Sequence, residues 1–506
     1  MPALRRTPFS GWTLSLTLAA CASGAAPDAP PSQGGTRPQA DATWIVPPEG
    51  ERLDGGRWRT DTAPDAVSPP VEPPTEPPVE PPTAAPTEPP TAAPTGPPTA
   101  APTGPPTAPP TNPPTAPPTD PPTAPPTEPP TAAPPAVDID EAAWVDGDFS
   151  AGVPGVRACG ALPGGGEGPP MIVSNNPEAF DGPGLLMGTA RPTVTRGGRE
   201  YRLRGEFGLY FHHLYRGQGQ VYVQVVVTNP SAGPVTLSAW GDAWTQGEAG
   251  GLALGASPDY RVSRSWITDT PRTRVDVEIP VQRPVRVWSG ALSTNREVDG
   301  RFGFSVSDDV YVYVVATPNN DLNEAINLSR QDAPGDYRIS GTPPPPFGRE
   351  AGVYENDTWR ADFSVGVPAA GQRHALIVNT ATGGGHPQVQ AFPALMTLEG
   401  SAQEAVGMYG NVYDLTVRLT NRDPAAARRV RLQFASLVQG NLSRYWDGAA
   451  LLDERVVDVR HTTDDRTTDL ADVRLAPGEA RAVRLRAMVP GLTSIPQALL
   501  FESLPP

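Results

Sequence analysis

Five histidines are the side chains best suited to proton transfer or metal binding: His212, His213, His374, His386 and His461. His212 and His213 are adjacent, and adjacent side chains of a strand point to opposite faces of the sheet. The two therefore cannot chelate one ion together, and a zinc site would need one of them to meet a distant histidine. We interpret the histidines as core or rim residues and leave the metal ligands unassigned.

Acidic clusters offer the oxygen ligands that calcium prefers. One cluster comprises Asp138, Asp140, Glu141, Asp146 and Asp148. It lacks the ligand spacing of a calcium-binding loop. A second run, Asn319, Asp321 and Asn323, begins like such a loop but carries Glu324 where glycine is required. We interpret the two as a solvated linker and a helix cap, with calcium binding as the alternative.

Aromatic side chains beside acids form the best candidate for a sugar-binding surface. We assign to this candidate surface patch Trp240, Trp244, Tyr445, Trp446 and Asp447. Aromatic rings present flat apolar faces on which sugar rings can stack. Paired carboxylates could also hydrolyse glycosidic bonds, and such a pair leaves no sequence signature. No residue is assigned a catalytic role.

The composition excludes several classes of function. All 39 basic residues are arginine, because the sequence contains no lysine. Lysine Schiff bases and phosphate-binding P-loops are therefore excluded. The net charge is −16 and no basic block stands out, so we expect no nucleic-acid partner.

The N-terminus has the features of an export signal. Arg5 precedes a short apolar stretch, Trp12–Ala20, which is too short to span a bilayer. The segment Leu18–Cys21 resembles the bacterial lipoprotein processing box. That resemblance implies that residues 1–20 are a signal peptide and that Cys21 carries covalent lipid. The alternative is an ordinary secretory signal.

Cys159 and Ala22 provide evidence on disulfide bonding and on the membrane in which the lipoprotein would reside. Cys159 is the only other cysteine, so lipidation of Cys21 leaves no intramolecular disulfide. We interpret Cys159 as an incidental thiol. Ala22 rather than an acidic residue follows Cys21, which favours the outer membrane by analogy with enteric sorting. We expect no cofactor beyond the lipid, with calcium as the one alternative.

A long low-complexity region follows the processing site. Residues 21–68 are polar and small and are predicted to be disordered. Residues 69–135 contain 31 prolines among 67 residues, with Thr at every fourth position from Thr83 to Thr131. This composition predicts a polyproline II stalk that reaches about 200 Å when fully extended. The alternatives are an O-glycosylated segment and a ligand for aromatic-grooved modules.

The remaining residues are predicted to form an all-β body. We expect two tandem, related β-sandwich domains, residues 140–342 and 347–506, divided at Gly341–Pro346. Period-two alternation predicts strands over Gln220–Thr228 and Asn411–Thr420, and each of these ends in Thr-Asn.

Further local signals predict two hairpins and one helix. The first hairpin runs from Phe302 to Val314 with its turn at Asp308-Asp309. The second runs from Val473 to Leu485 with its turn at Pro477–Glu479. The helix is predicted over Leu322–Arg330, capped by Asn320 or Asp321.

Several short motifs occur in one order along this body. They are Val173–Glu178, Gly205–Phe207, Phe211–His213, Asn229-Pro230, Tyr409–Tyr413 and Pro477–Glu479. This order resembles the domain of unknown function 3370 family, which is secreted and mainly cyanobacterial. The resemblance covers roughly residues 170–503 and implies the fold and a secreted location. It implies no activity, and the lipoprotein box and the stalk depart from it.

Together these features predict a non-catalytic envelope lipoprotein with a binding or structural role. A lipid anchor would hold it at the outer membrane, and its partner would be an envelope glycan or protein. The stalk motivates this interpretation, because a long spacer is useful when the target is distant. The alternatives are a surface polysaccharide hydrolase and a calcium-dependent adhesin.

Overall fold

The computed structural model describes part of the chain in two units, Met1–Pro121 and Pro122–Pro506. The described residues are 52–53, 57–58, 137–139, 144–146, 153, 156–159, 162–190, 200–246, 255–337, 348–378, 390–437, 446–462, 464–491, 493 and 497–505. In the first unit, strand β1 (Arg52–Leu53) pairs antiparallel with β2 (Arg57–Trp58). The predicted signal peptide and stalk lie outside the described residues.

The second unit contains twenty-five strands among its described residues, numbered here in chain order. The strands before residue 340 are β3 (Val137–Ile139), β4 (Trp144–Asp146), β5 (Val156–Cys159), β6 (Gly165–Glu167), β7 (Met171–Ser174), β8 (Ala179–Phe180), β9 (Gly184–Gly188), β10 (Leu203–Tyr215), β11 (Gln220–Thr228), β12 (Val235–Thr245), β13 (Thr273–Ile279), β14 (Pro284–Ser293) and β15 (Arg296–Thr317). The later strands are β16 (Ala351–Tyr354), β17 (Thr358–Gly366), β18 (Arg373–Val378), β19 (Phe392–Thr397), β20 (Glu404–Ala405), β21 (Val412–Thr420), β22 (Arg428–Ser436), β23 (Trp446–Leu452), β24 (Arg455–His461), β25 (Thr467–Leu475), β26 (Ala480–Met488) and β27 (Gln497–Leu504). The all-β prediction is confirmed.

One long strand joins the two layers of the first sandwich. Strand β15 pairs with β12 as far as Val306 and with β10 as far as Val310, after a register shift. Its later segment Tyr311–Thr317 pairs with β11. Sandwich corners are commonly formed by strands that pass from one sheet to the other. The predicted hairpin at Asp308-Asp309 is therefore wrong: the two aspartates lie at a bend within a continuous strand.

The second sandwich packs a seven-stranded sheet on a six-stranded sheet. Their main orders are β24-β23-β26-β21-β17-β3 and β25-β22-β27-β18-β5-β4, with β6 also paired to β17. Phe363 and Leu415 from one sheet share the buried core with Leu432 and Phe501 from the other. Because β25 and β26 lie in different sheets, the turn at Pro477–Glu479 crosses between layers, and the predicted hairpin is wrong.

The same pairing scheme recurs in the two halves. Strand β11 pairs antiparallel with β15 as β21 does with β26, and β12 pairs with β15 as β22 does with β25. The asparagines after β11 and β21 also have matching roles. Asn229 Nδ2 donates to the carbonyls of Gly233 and Ile279, and Asn421 Nδ2 donates to that of Ala426. Each asparagine fixes the loop that leaves its strand.

Strands are exchanged between the halves. Early strands β3, β5 and β6 pair with β17 and β18, whereas β16 pairs with β7 of the first sandwich. The predicted domain 140–342 contains β4, β5 and β6, but all three strands lie in sheets of the second sandwich. These strands cover sheet edges whose backbone groups would otherwise lack partners. The proposed break at Gly341–Pro346 lies outside the described residues.

A short helix confirms one local prediction. Helix α2 spans Leu322–Leu328, close to the predicted Leu322–Arg330. Its N-cap is Asp321, whose carboxylate accepts hydrogen bonds from the backbone amides of Asn323 and Glu324. Asp321, named above as a possible calcium ligand, thus caps the N-terminus of a helix.

A second helix, α1, spans Pro258–Ile267 and was not predicted. Its start signals are nevertheless present in the sequence, with Ser257 as N-cap, Pro at the first position and Asp259 in the first turn. Neither helix in the described part of the chain has the length and apolar character needed to cross a membrane.

Arg301 of β15 connects the two halves from a fully buried position. Its Nε donates to the Gly410 carbonyl at 3.0 Å, and its Nη2 donates to Asp357 Oδ2 at 2.7 Å. Nη1 donates to the Phe302 carbonyl at 2.6 Å. Gly410 and Asp357 belong to the second half, so one guanidinium satisfies polar groups on both sides of the contact.

Truncating this arginine should destabilise the whole second unit. Arg301→Ala would leave the partly buried Asp357 carboxylate and the buried Gly410 carbonyl without their cation, which costs about 3 kcal/mol. Urea unfolding of the full chain measures the loss. The control Arg202→Ala removes an exposed pair with Glu200 and should change the midpoint little. Equal effects of the two substitutions would contradict the central role of Arg301.

Candidate functional site

Helix α1 lies between the two halves of the second unit. It packs against β12 and β15 on one side and against β23 and β26 on the other. Asp447 of β23 fixes the start of the helix, because its Oδ2 accepts from Ser257 Oγ at 2.6 Å. Its Oδ1 accepts from the Gly255 amide at 2.8 Å. The helix is therefore held by residues from both halves, and two distinct polar sites adjoin it.

The first site is an open cleft of about 290 Å³ beside the end of α1. Its walls come from β12, from the C-terminal end of α1 and the turn after it, and from β26. The lining residues are Trp240, Gly241, Ser265, Trp266, Asp269, Pro271 and Arg486. Two indole rings, a hydroxyl, a carboxylate and a guanidinium thus face one opening.

Each indole ring of the cleft rests on a specific support. Trp240 pairs across the sheet with Gly303, where an added Cβ would come within 2.6 Å of the ring atoms. The glycine therefore lets the ring lie flat across the neighbouring strand. Trp266 is stacked on the guanidinium of Arg301, 4.1 Å from the ring centre. Both rings are half-buried and held from one side.

The candidate surface patch from the sequence is only partly a surface. Trp240 lines the cleft, but Trp244 does not. The guanidinium carbons of Arg261 and Arg272 lie 4.8 Å and 3.3 Å from the centre of the Trp244 ring. Arg272 also forms an ion pair with Asp242. The side chain of Trp244 therefore serves cation–π packing.

For Trp446 and Asp447 the predicted surface position is wrong, because both side chains are buried. Trp446 is 1% exposed and packs against Phe434, with ring centres 4.8 Å apart. Asp447 is fully buried and holds the start of α1. Tyr445 lies outside the described residues. Trp266 was not among the predicted residues, because the helix that carries it was not predicted.

The second site is a buried cluster of one histidine and several acids. His212 Nδ1 lies 3.5 Å from Asp259 Oδ1 and 3.6 Å from Asp299 Oδ1. His212 and Asp299 are direct partners in the pairing of β10 with β15, and Asp259 comes from the first turn of α1. Asp259 and Asp299 are fully buried, and His212 is 3% exposed.

The electrostatics of this cluster favour a positive charge at its centre. Burial lowers the pKa of His212, but Asp299 and Asp259 reverse this effect and raise it to about 10. Burial also raises the pKa of the Asp299 carboxyl to about 6, although the neighbouring His212 acts to lower it. The hydroxyl of Tyr210 is buried among the same acids, and its pKa is raised.

Sequence reasoning placed His212 and His213 correctly but missed the partners of His212. The two rings do point to opposite faces: His213 contacts Ser174 Oγ and the Pro177 carbonyl. A distant histidine was expected as the second ligand, whereas two aspartates face His212. They lie 47 and 87 residues further along the chain, and only the folded sheet brings them together.

The other candidates occupy less informative positions. Asp138 of β3 is exposed and forms an ion pair with Arg422 at 2.7 Å. His374 is buried. His386, Asp140, Glu141 and Asp148 lie outside the described residues. For Asp146 and Cys159 only the backbone, in β4 and β5, is described.

A buried serine–histidine pair resembles a nucleophile and its base. Ser436 Oγ lies 2.8 Å from His461 Nδ1, but it also donates to Gln497 Oε1 at 2.6 Å. The other ring nitrogen of His461 contacts Thr468 Oγ1 at 3.1 Å. Both members of the pair are fully buried, so a substrate has no access to Ser436. We therefore assign the pair a structural role.

Comparison with protein families agrees with the resemblance found in the sequence. Residues 157–250 match the family model described as "Protein of unknown function (DUF3370)". The matched range includes His212 and Trp240 and ends before α1. The rest of the expected range, up to residue 503, lies outside the match. No curated protein matches the chain.

Two solved structures are similar to the chain at low identity. One is an anti-sigma factor domain-containing protein, with 8% identity, coverage of 59% of this chain and 82% of that chain, and a TM-score of 0.13. The other is the N-terminal CBM22-1-CBM22-2 tandem domain of Xyn10C from Paenibacillus barcinonensis, with 10% identity, coverage of 64% and 98%, and a TM-score of 0.14. At these TM-scores neither carries an argument about fold or ligand.

The buried His461 should make stability fall on acidification. Burial lowers its pKa from 6.5 to about 4, against the opposing hydrogen bond of Gln497. Between these pH values the unfolded chain binds a proton at His461 that the folded chain does not bind. The free energy of unfolding is therefore undiminished by His461 above pH 6.5 and decreases as the pH falls towards 4. His461→Gln should remove about 3 kcal/mol of this loss. Urea unfolding at pH 7, 5.5 and 4 tests it, and parallel pH curves would refute the assignment.

Proposed function

We propose that this protein is a non-catalytic, glycan-binding lipoprotein of the bacterial cell envelope. The observation that carries the proposal is the cleft lined by Trp240 and Trp266. The lipid anchor, the stalk and the outer-membrane location are parts of the same proposal and come from the sequence.

The composition of the cleft suits a carbohydrate. Sugar rings have apolar faces that stack on indoles and hydroxyl edges that need hydrogen-bond partners. Trp240 and Trp266 supply the ring faces, while Ser265, Asp269 and Arg486 supply donors and acceptors. The volume of about 290 Å³ fits one or two sugar rings rather than a folded protein domain.

The supports of the two indoles also favour binding. A ring that is already held in place loses little conformational freedom when a ligand stacks on it. Gly303 beneath Trp240 and Arg301 beneath Trp266 hold the rings in this way. Pre-organised aromatic platforms are therefore the feature on which we base the choice of a glycan over a protein partner.

Substitution of Trp240, one of the two cleft tryptophans, should weaken glycan binding. Trp240→Ala in the full chain is expected to reduce affinity for the preferred glycan about tenfold or more, since ring stacking contributes on the order of 1 kcal/mol beyond apolar burial. Isothermal titration with soluble chitotetraose, a disaccharide muropeptide and a neutral glucan tetramer measures the change.

The matched control is Trp288→Ala, which removes another half-buried tryptophan outside the cleft. It should leave affinity unchanged. An equal loss in both variants, or no binding of any of these glycans by the wild-type chain, would contradict the proposal. Release of reducing ends from a bound glycan would favour a hydrolase instead.

The anchor and stalk would set where this cleft operates. A diacyl or triacyl Cys21 gives durable membrane attachment, since each buried methylene contributes about 0.8 kcal/mol. The acidic chain has no electrostatic attraction to anionic lipid, so the acyl groups would supply the attachment. The segment 69–135 then separates the cleft from the bilayer by up to about 200 Å.

Lipidation should depend on one side chain. Radiolabelled palmitate is expected to enter the wild-type protein and not Cys21→Ala, whereas the control Cys159→Ala should label normally. Labelling of Cys21→Ala would refute the anchor. Protease treatment of intact cells that carry the wild-type chain then distinguishes a body released outside the cell from one protected within the periplasm.

A further inference from the structure

The buried cluster around His212 has the geometry of a small metal centre. One nitrogen of His212 and one carboxylate oxygen each from Asp259 and Asp299 all lie within 4.8 Å of one another. The His212 nitrogen is 3.5 Å and 3.6 Å from the two oxygens. Ligand atoms bound tetrahedrally about 2.0–2.2 Å from a zinc ion lie about 3.3–3.6 Å apart. The two separations from His212 Nδ1 therefore match edges of such a site, and the third, between the two carboxylate oxygens, lies within 4.8 Å.

The space between these atoms is kept open by a glycine. A Cβ placed on Gly491 would lie 2.4 Å from Asp259 Oδ1 and 2.5 Å from His212 Nδ1. It would also lie 2.9 Å from Tyr210 Oη. Three polar atoms therefore surround a point that any larger residue at position 491 would fill.

Three side chains at this space, His212, Tyr210 and Asp299, have buried polar atoms without a hydrogen-bond partner among the described residues. Among the described residues, none forms a hydrogen bond with either carboxylate oxygen of Asp299, although that side chain is fully buried. His212 Nδ1 and Tyr210 Oη also have no hydrogen-bond partner there. The 3.5 Å and 3.6 Å separations of His212 Nδ1 from the two acids allow electrostatic attraction but are long for hydrogen bonds. Buried polar atoms in such numbers call for a ligand that the protein atoms do not provide.

We propose that His212, Asp259 and Asp299 bind one divalent transition-metal ion of the zinc class, with Tyr210 or a water molecule as the fourth ligand. An imidazole nitrogen combined with carboxylate oxygens suits zinc and its neighbours. Calcium needs six to eight oxygen ligands and does not suit this set. The two carboxylates balance the charge of the ion.

The metal would have a structural role at the junction of the two halves. Its ligands come from β10, β15 and α1, and Gly491 closes the site from the second half. The ion would thus fix the first turn of α1, whose other end borders the tryptophan cleft. The proposal stands independently of glycan binding, since none of the three ligands lines that cleft.

The competing description is a buried ion pair in which a protonated His212 balances the acids. The two descriptions differ in metal content and in the response to zinc. The full chain, purified without a histidine tag, is analysed by mass spectrometry for metals, stripped with a chelator and titrated with zinc chloride while its melting temperature is followed. One zinc per chain and a melting temperature that rises with zinc are expected.

Variants locate the ion. Asp299→Asn keeps the shape of the side chain and should weaken zinc binding by at least about 10- to 100-fold. Gly491→Ala should also abolish binding by filling the space. The control Asp242→Asn alters another buried aspartate, one paired with Arg272, and should retain zinc. Retention of zinc by Asp299→Asn, or its loss from Asp242→Asn to the same extent, overturns the proposal.

A measurement on the wild-type chain covers the case in which variants do not fold. Zinc-edge X-ray absorption should show one imidazole and oxygen neighbours at about 2.0–2.2 Å and no sulfur. A sulfur neighbour would place the ion on a cysteine and overturn the proposal. So would a wild-type chain that retains no metal and whose melting temperature is unaffected by zinc, manganese or cobalt.

Discussion

The fully buried guanidinium of Arg301 is the interaction on which the rest of the second unit depends. Taking a charge out of water is costly, and the cost is offset only by an opposite charge and well-placed hydrogen-bond acceptors. Here the acceptors come from both halves, at Phe302, Asp357 and Gly410. The two sandwiches must therefore meet in one register for this charge to be tolerated. The same group supports the ring of Trp266, so the fold and the proposed binding surface share one constraint.

Helix α1 contributes residues to both candidate sites. Its first turn presents Asp259 to the buried cluster, and its last turn presents Trp266 to the cleft. Ten residues thus connect a buried polar centre with an open surface. The helix is itself fixed by Asp447 and by apolar contacts of Val262 and Ile267 with the second half. An element held from both sides is a suitable carrier for groups that must keep a fixed geometry.

The sequence predicted strand positions, which depend on local pattern. It did not predict which sheet a strand joins, because that depends on pairing between distant segments. Alternation placed the strand Gln220–Thr228 correctly, and the end of the second strand at Thr420 was also correct, because one face of each must be apolar. Turn residues at Asp308-Asp309 and Pro477–Glu479 marked changes of direction, but they carry no information about which sheet the next strand joins. Helix α1 had its start signals at Ser257, and the all-β expectation obscured them. The cluster around His212 could not be predicted, since its members share no local motif.

The exchanged strands determine how a mechanical load would enter the molecule. The Thr/Pro-rich segment ends just before β3, and β3 is an edge strand of the second sandwich rather than of the first. It pairs with β17 over only three residues, Val137–Ile139, in parallel orientation. A pull on the preceding segment would therefore act first on this short ladder and on the exposed pair of Asp138 with Arg422. Ile139 of β3 is buried in the core of the second sandwich, so detachment of this strand would withdraw an apolar side chain from that core.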